Sequence, residues 1–462
     1  MRTLIAVISV CWCIVAFNRA VAAEDDCSIP AGIHFLPTTA APTNRLPATP
    51  AGDQFPNDCD FYRWAWQTFL YSTDRIKGRP RFLQYQTFED IFHVPQSPLF
   101  AQSKANVLSL APRTAQSANS AKPAPVDMTA LEQALSEKVL IDLRGYPIWY
   151  QINLNSTFSD VISANELAKL DTLKLIPLDL EFRTGSVEFK SAWQIIDKPN
   201  ANFITTQAVI PVFKTNQQGK VTRDGDKTRE VTVGLIALHV VGVIDGHPEF
   251  VWATFEHTSS AKGGRGLRIR DVAPSADSPD QKNQKVINEG VPYLLYPGTT
   301  KGASGPLSNS NDSKRLVDLS LDATTQKFAP TSAIFRIFPA SQQKGVEEDG
   351  AVVSINKYVQ KKFEDLANND VRRNYTLVGA VWLNKPREDF QANKSFPPNQ
   401  GSFMNFGGED GLSSMAMESF TQSDAPNCFS CHDTNPNGPS GLAASRLNVS
   451  HVLSKFFLTT KK

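Results

Sequence analysis

Val231-Thr232-Val233-Gly234-Leu235-Ile236-Ala237-Leu238-His239-Val240-Val241 is nearly all apolar. A short run of this kind, buried on both faces, belongs at the centre of a sheet. The turn Asp245-Gly246-His247-Pro248 follows it. Phe250-Val251-Trp252-Ala253-Thr254-Phe255-Glu256-His257 then returns as a second strand. Working outward, Val139 to Leu143 and Ile148 to Leu154 flank Gly145-Tyr146-Pro147 in a hairpin-like arrangement. Val187 to Trp193 alternates like a strand, and Phe203 to Phe213, Glu230 to Ile244, Ser332 to Phe338 and Tyr375 to Leu383 complete the strand set. Helices are expected over Cys59 to Thr73 with Asp58 as N-cap, Met128 to Lys138, Thr157 to Leu173, Val352 to Ala367, Gly411 to Phe420 and Leu447 to Phe457. In the first of these, Phe61, Trp64, Ala65, Thr68 and Phe69 share one face at helical spacing. They read as core, with a tryptophan lining a cofactor pocket as the lesser reading. The expected fold class is α+β: an antiparallel-sheet-rich body with flanking helices and a short helical C-terminal segment.

That segment holds Asn427-Cys428-Phe429-Ser430-Cys431-His432. Cys-x-x-Cys-His is the attachment signature of c-type haem: the two thiols form thioethers with the haem vinyls, and the histidine becomes the proximal iron ligand. A thioredoxin-like pair would need a βαβ context, and a zinc site would need a second Cys or His pair. The approach from Thr421 to Asn427 is polar loop, and no second Cys-x-x-Cys occurs. The bland alternative is a free or disulfide-bonded pair with a chance histidine after it. A single such motif excludes a multihaem array. The glycine cluster Gly263-Gly264-Arg265-Gly266 lacks the Lys-Ser/Thr of a phosphate loop and reads as loop.

Residues 1–23 read as a secretory signal: Arg2, then the uncharged apolar run Leu4 to Phe17, then Ala20-Val21-Ala22-Ala23 for cleavage after Ala22 or Ala23. The run is too short for a transmembrane span, and no membrane span is expected in the mature chain. Export implies a periplasmic or secreted protein. Loss of Arg2 and Arg19 takes 47 basic residues to 45, against 46 acidic ones, for a net charge of −1. This balance gives no basis for binding nucleic acid. Of six cysteines, Cys11 and Cys13 leave with the signal and Cys428 and Cys431 go to haem. Cys27 and Cys59 remain and are expected to pair in an oxidising compartment.

Composition then divides the mature chain into an N-terminal segment and helix (24–100), an Ala/Ser/Pro/Lys-rich linker (101–127), the α+β body (128–400) and the haem segment (401–462). In the last of these, a loop at Pro436, Gly438 and Pro439 is expected to offer a backbone carbonyl to the His432 Nδ1–H. The sixth iron ligand is open among His451, Met417 or Met415, His257 or His239, and no protein ligand at all. No methionine follows Cys431, so the layout of a compact class I cytochrome c is ruled out. Each histidine otherwise reads as a hydrogen-bonded structural residue and each methionine as core packing.

Beyond the haem motif, Trp64-Ala65-Trp66-Gln67-Thr68-Phe69-Leu70, Trp252-Ala253-Thr254-Phe255-Glu256-His257 and Met417-Glu418-Ser419-Phe420-Thr421-Gln422 are similar to stretches of large bacterial monohaem cytochrome c family proteins. The resemblance implies one covalent haem c on Cys428, Cys431 and His432, and supplies no substrate. The leading expectation is electron transfer with an unidentified redox partner protein. Alternatives are a peroxidase-like haem oxidoreductase, for which His257 with Arg265 is a weak distal pair, or a haem-based sensor with an open distal position.

Overall fold

The computed structural model describes residues 27, 58–76, 78–93, 107–109, 138–142, 144–196, 202–257, 270–271, 315–329, 332, 335–336, 350–365, 370–392, 406–409, 411–421, 427–435 and 442–460. The signal segment, Ser28 to Pro56, most of the expected 128–138 helix, the 263–266 glycine cluster with Arg265, and the Pro436–Pro439 loop lie outside them.

A nine-stranded sheet organises the chain. Its strands, in chain order, are β1 (Gln86–Thr87), β2 (Val107–Ser109), β3 (Trp149–Leu154), β4 (Val187–Ile195), β5 (Thr205–Thr215), β6 (Val221–Ile244), β7 (His247–His257), β8 (Tyr375–Leu383) and β9 (Phe406–Gly408). The spatial order runs β9-β8-β7-β6-β4-β3-β1. All these pairings are antiparallel. The expected mixed α+β class with a sheet-rich body holds.

The centre is β6, whose 24 residues are too many for one neighbour on each side. On one edge, β4 pairs along its C-terminal half, from Val187↔Gly242 to Ile195↔Val233. The other edge is shared end to end. There β7 pairs from Ala237↔Glu256 to Ile244↔His247, and β5 takes over from Thr205↔Gly234 toward the N-terminus. The seam is held by the Tyr375 hydroxyl, which accepts from the Ile204 amide (3.0 Å) and donates to the Leu235 carbonyl (2.8 Å). The stretch read as linker contributes β2, which joins β5 in parallel. Likewise β9, from the segment set apart as the haem segment, pairs with β8. Strands from the N-terminal, body and C-terminal segments thus share one sheet.

Alternate residues of β6 face opposite layers, as the two-residue period of a strand requires. Leu238 and Val240 face α1 (Asp58–Thr73), whose Phe61, Trp66, Phe69 and Leu70 are fully buried. Beside α1 lies a second long helix, Ala351–Asp365, with Ile355, Val359 and Phe363 inward. The Trp66 indole donates to Asn356 (3.0 Å), and Asn356 donates to the Leu377 carbonyl (2.8 Å), so the two helices and the sheet share one buried polar bond system. The tryptophans of α1 are core. The opposite layer, under Val241 and Val243, packs against Phe429, Leu447, Val449 and the last helix, Val452–Thr460. The sheet therefore separates the helical layer from the Cys428–His432 turn.

Cys27 and Cys59 form a disulfide with a Cα–Cα distance of 5.2 Å. The Cys27 amide donates to Ser354 Oγ at 3.2 Å, so the bridge ties Cys27 to both long helices. Closing a loop over a sequence separation of 32 stabilises by roughly 3–4 kcal/mol in the chain-entropy model. Replacing both cysteines by alanine is expected to lower the urea midpoint accordingly; an unchanged midpoint would contradict this.

Three expected helices differ in the structure. Residues 411–420 are irregular chain, bends and turns. Their backbone donors go elsewhere: Met415 N–H donates to Glu256 (2.8 Å) and Ser414 N–H to Glu418 (2.9 Å). The C-terminal helix is a 3-10 turn, Arg446–Val449, then Val452–Thr460. The break falls at Ser450, which adopts an extended backbone and donates its hydroxyl to Glu188 (2.8 Å). The 157–173 helix is likewise two short ones, Ser156–Ala164 and Leu170–Leu173, parted by Glu166 at φ +52°.

Candidate functional site

Cys428–Ser430 forms one 3-10 turn. The Cys428 carbonyl accepts from the amides of both Cys431 (3.2 Å) and His432 (3.0 Å), which holds the two thiols a turn apart with the imidazole adjoining. Phe429 anchors this turn. It is buried, stacks on Phe406 of β9 (centroids 5.3 Å apart) and meets Trp252 of β7 edge-on at 6.4 Å. An apolar residue between the cysteines is thus what seats the turn on the sheet.

Both thiols are free and half-buried. Burial, then the charge of Glu418, pushes the Cys431 thiol up to about 11, and the same causes raise Cys428 further. At neutral pH both are S–H groups. A thiolate nucleophile of the thioredoxin kind needs the opposite shift, whereas addition across a vinyl double bond consumes the S–H.

His432 is fixed from three directions. Its Nδ1–H donates to the Val449 carbonyl at 2.9 Å. Trp252 packs against the ring at 4.1 Å, and His451 stacks on it at 4.0 Å with 18° between the planes. The Nε2 has no hydrogen-bond partner among the described residues. Burial, then the neighbouring His451, Lys190 and His239, holds the imidazole well below its ordinary value, against the pull of the Val449 bond. It is therefore neutral, the form that ligates a metal. The acceptor is Val449 of the 3-10 turn, in place of the loop at Pro436–Pro439. A carbonyl on Nδ1–H fixes the tautomer and raises the basicity of Nε2.

Beside the turn sits a charged cluster. Lys190 of β4, His239 of β6 and Thr254 of β7 lie in one cross-strand row, and Glu418 of the 411–421 chain closes over it. The carboxylate accepts from Lys190 Nζ (3.2 Å), His239 Nε2 (3.0 Å) and the Ser414 amide (2.9 Å). The remaining imidazole nitrogen of His239 meets Thr254 Oγ1 at 2.9 Å. Burial raises the Glu418 carboxyl, but His239, Lys190 and the hydrogen bonds outweigh it and hold the group down at about 2.

The candidates for a sixth ligand are distributed as follows. His451 donates through Nε2 to the Cys431 carbonyl (3.0 Å) while its ring lies flat on His432. Two imidazoles on one iron point their nitrogens at each other across roughly 4 Å, twice a metal–nitrogen bond of about 2 Å; stacked faces do not. Met415 and Met417 are fully buried in the cluster with Tyr150, Ile236 and Phe420. His239 uses both nitrogens within the charged cluster. His257 stacks on Phe203 at 4.0 Å and donates to the Asn202 carbonyl at the β5–β7 seam.

The chain matches no family model, no curated protein and no solved structure. The site therefore stands on its own residues. Among the described residues no group of three or more His, Cys, Asp or Glu converges as a metal shell, and no helix is long and apolar enough to cross a membrane. Sequence reasoning missed Lys190, Trp252, Glu418 and Val449 as neighbours of the motif. Strand alternation does place Lys190, His239 and Trp252 on one face, but only the register shows that this face meets residues 411–450.

Proposed function

We propose that the chain is an exported monohaem c-type cytochrome that transfers electrons through one haem on Cys428, Cys431 and His432. The observation that carries this reading is the pairing of two free S–H groups on one turn with a neutral imidazole held by Val449, its Nε2 left without a partner. That donor set fits a group needing two thioethers and one axial bond, and bound haem would supply a one-electron iron couple. The protein's part is to orient the imidazole with Val449, Trp252 and His451, and to seat the half-buried turn on the sheet through Phe429. The Cys27–Cys59 disulfide and the leader-like N-terminus support an oxidising, extracytoplasmic location.

One observation favours a second reading. His451 lies flat on the proximal imidazole, and Met415 and Met417 are packed in the core. With all three held in those contacts, the sixth position is left to another residue or to an exogenous ligand. The latter supports a peroxidase-like oxidoreductase or a sensor.

The absorption spectrum of the exported protein tests both. A Soret band is expected, and its absence would remove the haem reading. A low-spin ferric spectrum supports electron transfer; a high-spin one that responds to carbon monoxide or peroxide supports the second reading.

A further inference from the structure

A groove of about 440 Å³ opens at the end of the sheet where β6 turns into β7, a size typical of small-molecule sites. Its floor is apolar, with Phe182, Val243, Ile244 and Phe390. Three arginines, Arg183, Arg387 and Arg446, stand around it. They come from separate parts of the chain: the loop before β4, the short helix after β8, and the 3-10 turn before the last helix.

Arg446 is already committed. It donates to Glu181 (3.2 Å) and Gln391 (3.1 Å), and its guanidinium lies over the Phe390 ring at 5.6 Å. The guanidinium groups of Arg183 and Arg387 are different. Neither has a hydrogen bond, ion pair or ring contact with any described residue. Two planar donors with no acceptor among the described residues, above an apolar floor, match a carboxylate with an apolar body. The remaining acidic group on the rim, Asp245, is unpaired among the described residues and would repel a second anionic end.

We propose that this groove binds a small organic monocarboxylate, its carboxylate on Arg183 and Arg387 and its apolar body on Phe182, Val243 and Phe390. The site is independent of the haem reading, so neither stands or falls with the other.

Isothermal titration of the full mature chain with benzoate tests it, with benzamide and inorganic phosphate as controls. Benzoate is expected to bind saturably. Benzamide, with the same body and no charge, and phosphate, with charge and no body, are expected to bind more weakly. The double variant Arg183→Ala/Arg387→Ala is expected to lose about tenfold or more in benzoate affinity, the scale of one charged hydrogen bond. Both side chains are exposed, so the variant is expected to keep its circular dichroism and melting temperature. If it melts early, the benzoate-to-benzamide ratio on the native chain decides. Absence of saturable benzoate binding, benzamide binding as tight as benzoate, or undiminished affinity in a folded double variant would each overturn the proposal.

Discussion

The double variant Cys428→Ser/Cys431→Ser is expected to retain no haem after denaturing electrophoresis, where the unmodified chain, purified from an exporting host, is expected to keep a haem-associated stain. Each single variant is expected to lose or weaken attachment, since one thioether remains. His432→Ala is expected to act differently: haem stays covalently bound, but the spectrum changes because the axial nitrogen is gone. The separation follows from the geometry. The cysteines are half-buried and make no disulfide, so a hydroxyl in place of each thiol alters little of the packing. Phe429, which seats the turn against Phe406 and Trp252, is untouched. Native circular dichroism with no covalently attached haem is therefore the predicted outcome. Full haem retention in the double variant would sink the assignment of these thiols.

Much of this architecture is legible from periodicity. Tyr375 to Leu383 is a strand with the expected bounds, because its short run is rich in β-branched and aromatic residues. The first helix likewise declares itself by its aromatic face. The failures have physical causes. Residues Val221 to Arg229 extend β6 although they are rich in charge, because pairing with β5 there is a backbone matter on an exposed ribbon. Val107–Ser109 sits in a stretch of linker-like composition yet pairs with Gln207–Val209 by the same means. The expected helix at 411–420 has helical residue types, but side chains of Glu256 and Glu418 take its amides. Those partners are 159 and 4 residues away, so only the fold decides between them and the helix ladder. For the site, the motif marks Cys428, Cys431 and His432 by spacing alone. Their environment is built from β4, β6, β7 and the 3-10 turn, and no spacing rule reaches that far.

Replacing Glu418 by alanine is expected to destabilise the protein by about 3–5 kcal/mol, the range for removing one partner of a buried ion pair. The side chains of Lys190 and His239 are each only 12% exposed, and Glu418 is the carboxylate both face. An exposed pair in the same geometry would contribute about 1 kcal/mol or less, so denaturant titration separates the two cases. Acid supplies a second readout. The folded carboxyl is held at about 2, below the ordinary glutamate value of about 4.3. Its stabilisation is therefore complete above the ordinary value and fades as pH falls toward 2. The stability difference between the native chain and Glu418→Gln should accordingly close as pH falls between about 4 and 2. A difference that stays flat across that window would show that the carboxylate charge contributes nothing. The consequence reaches the Cys428–His432 turn, because Glu418 also holds the Ser414 amide and so shapes the chain that leads toward Cys428. Loss of the charge is expected to loosen residues 411–421 first, which amide hydrogen exchange in Glu418→Gln would register as faster exchange there than in β6.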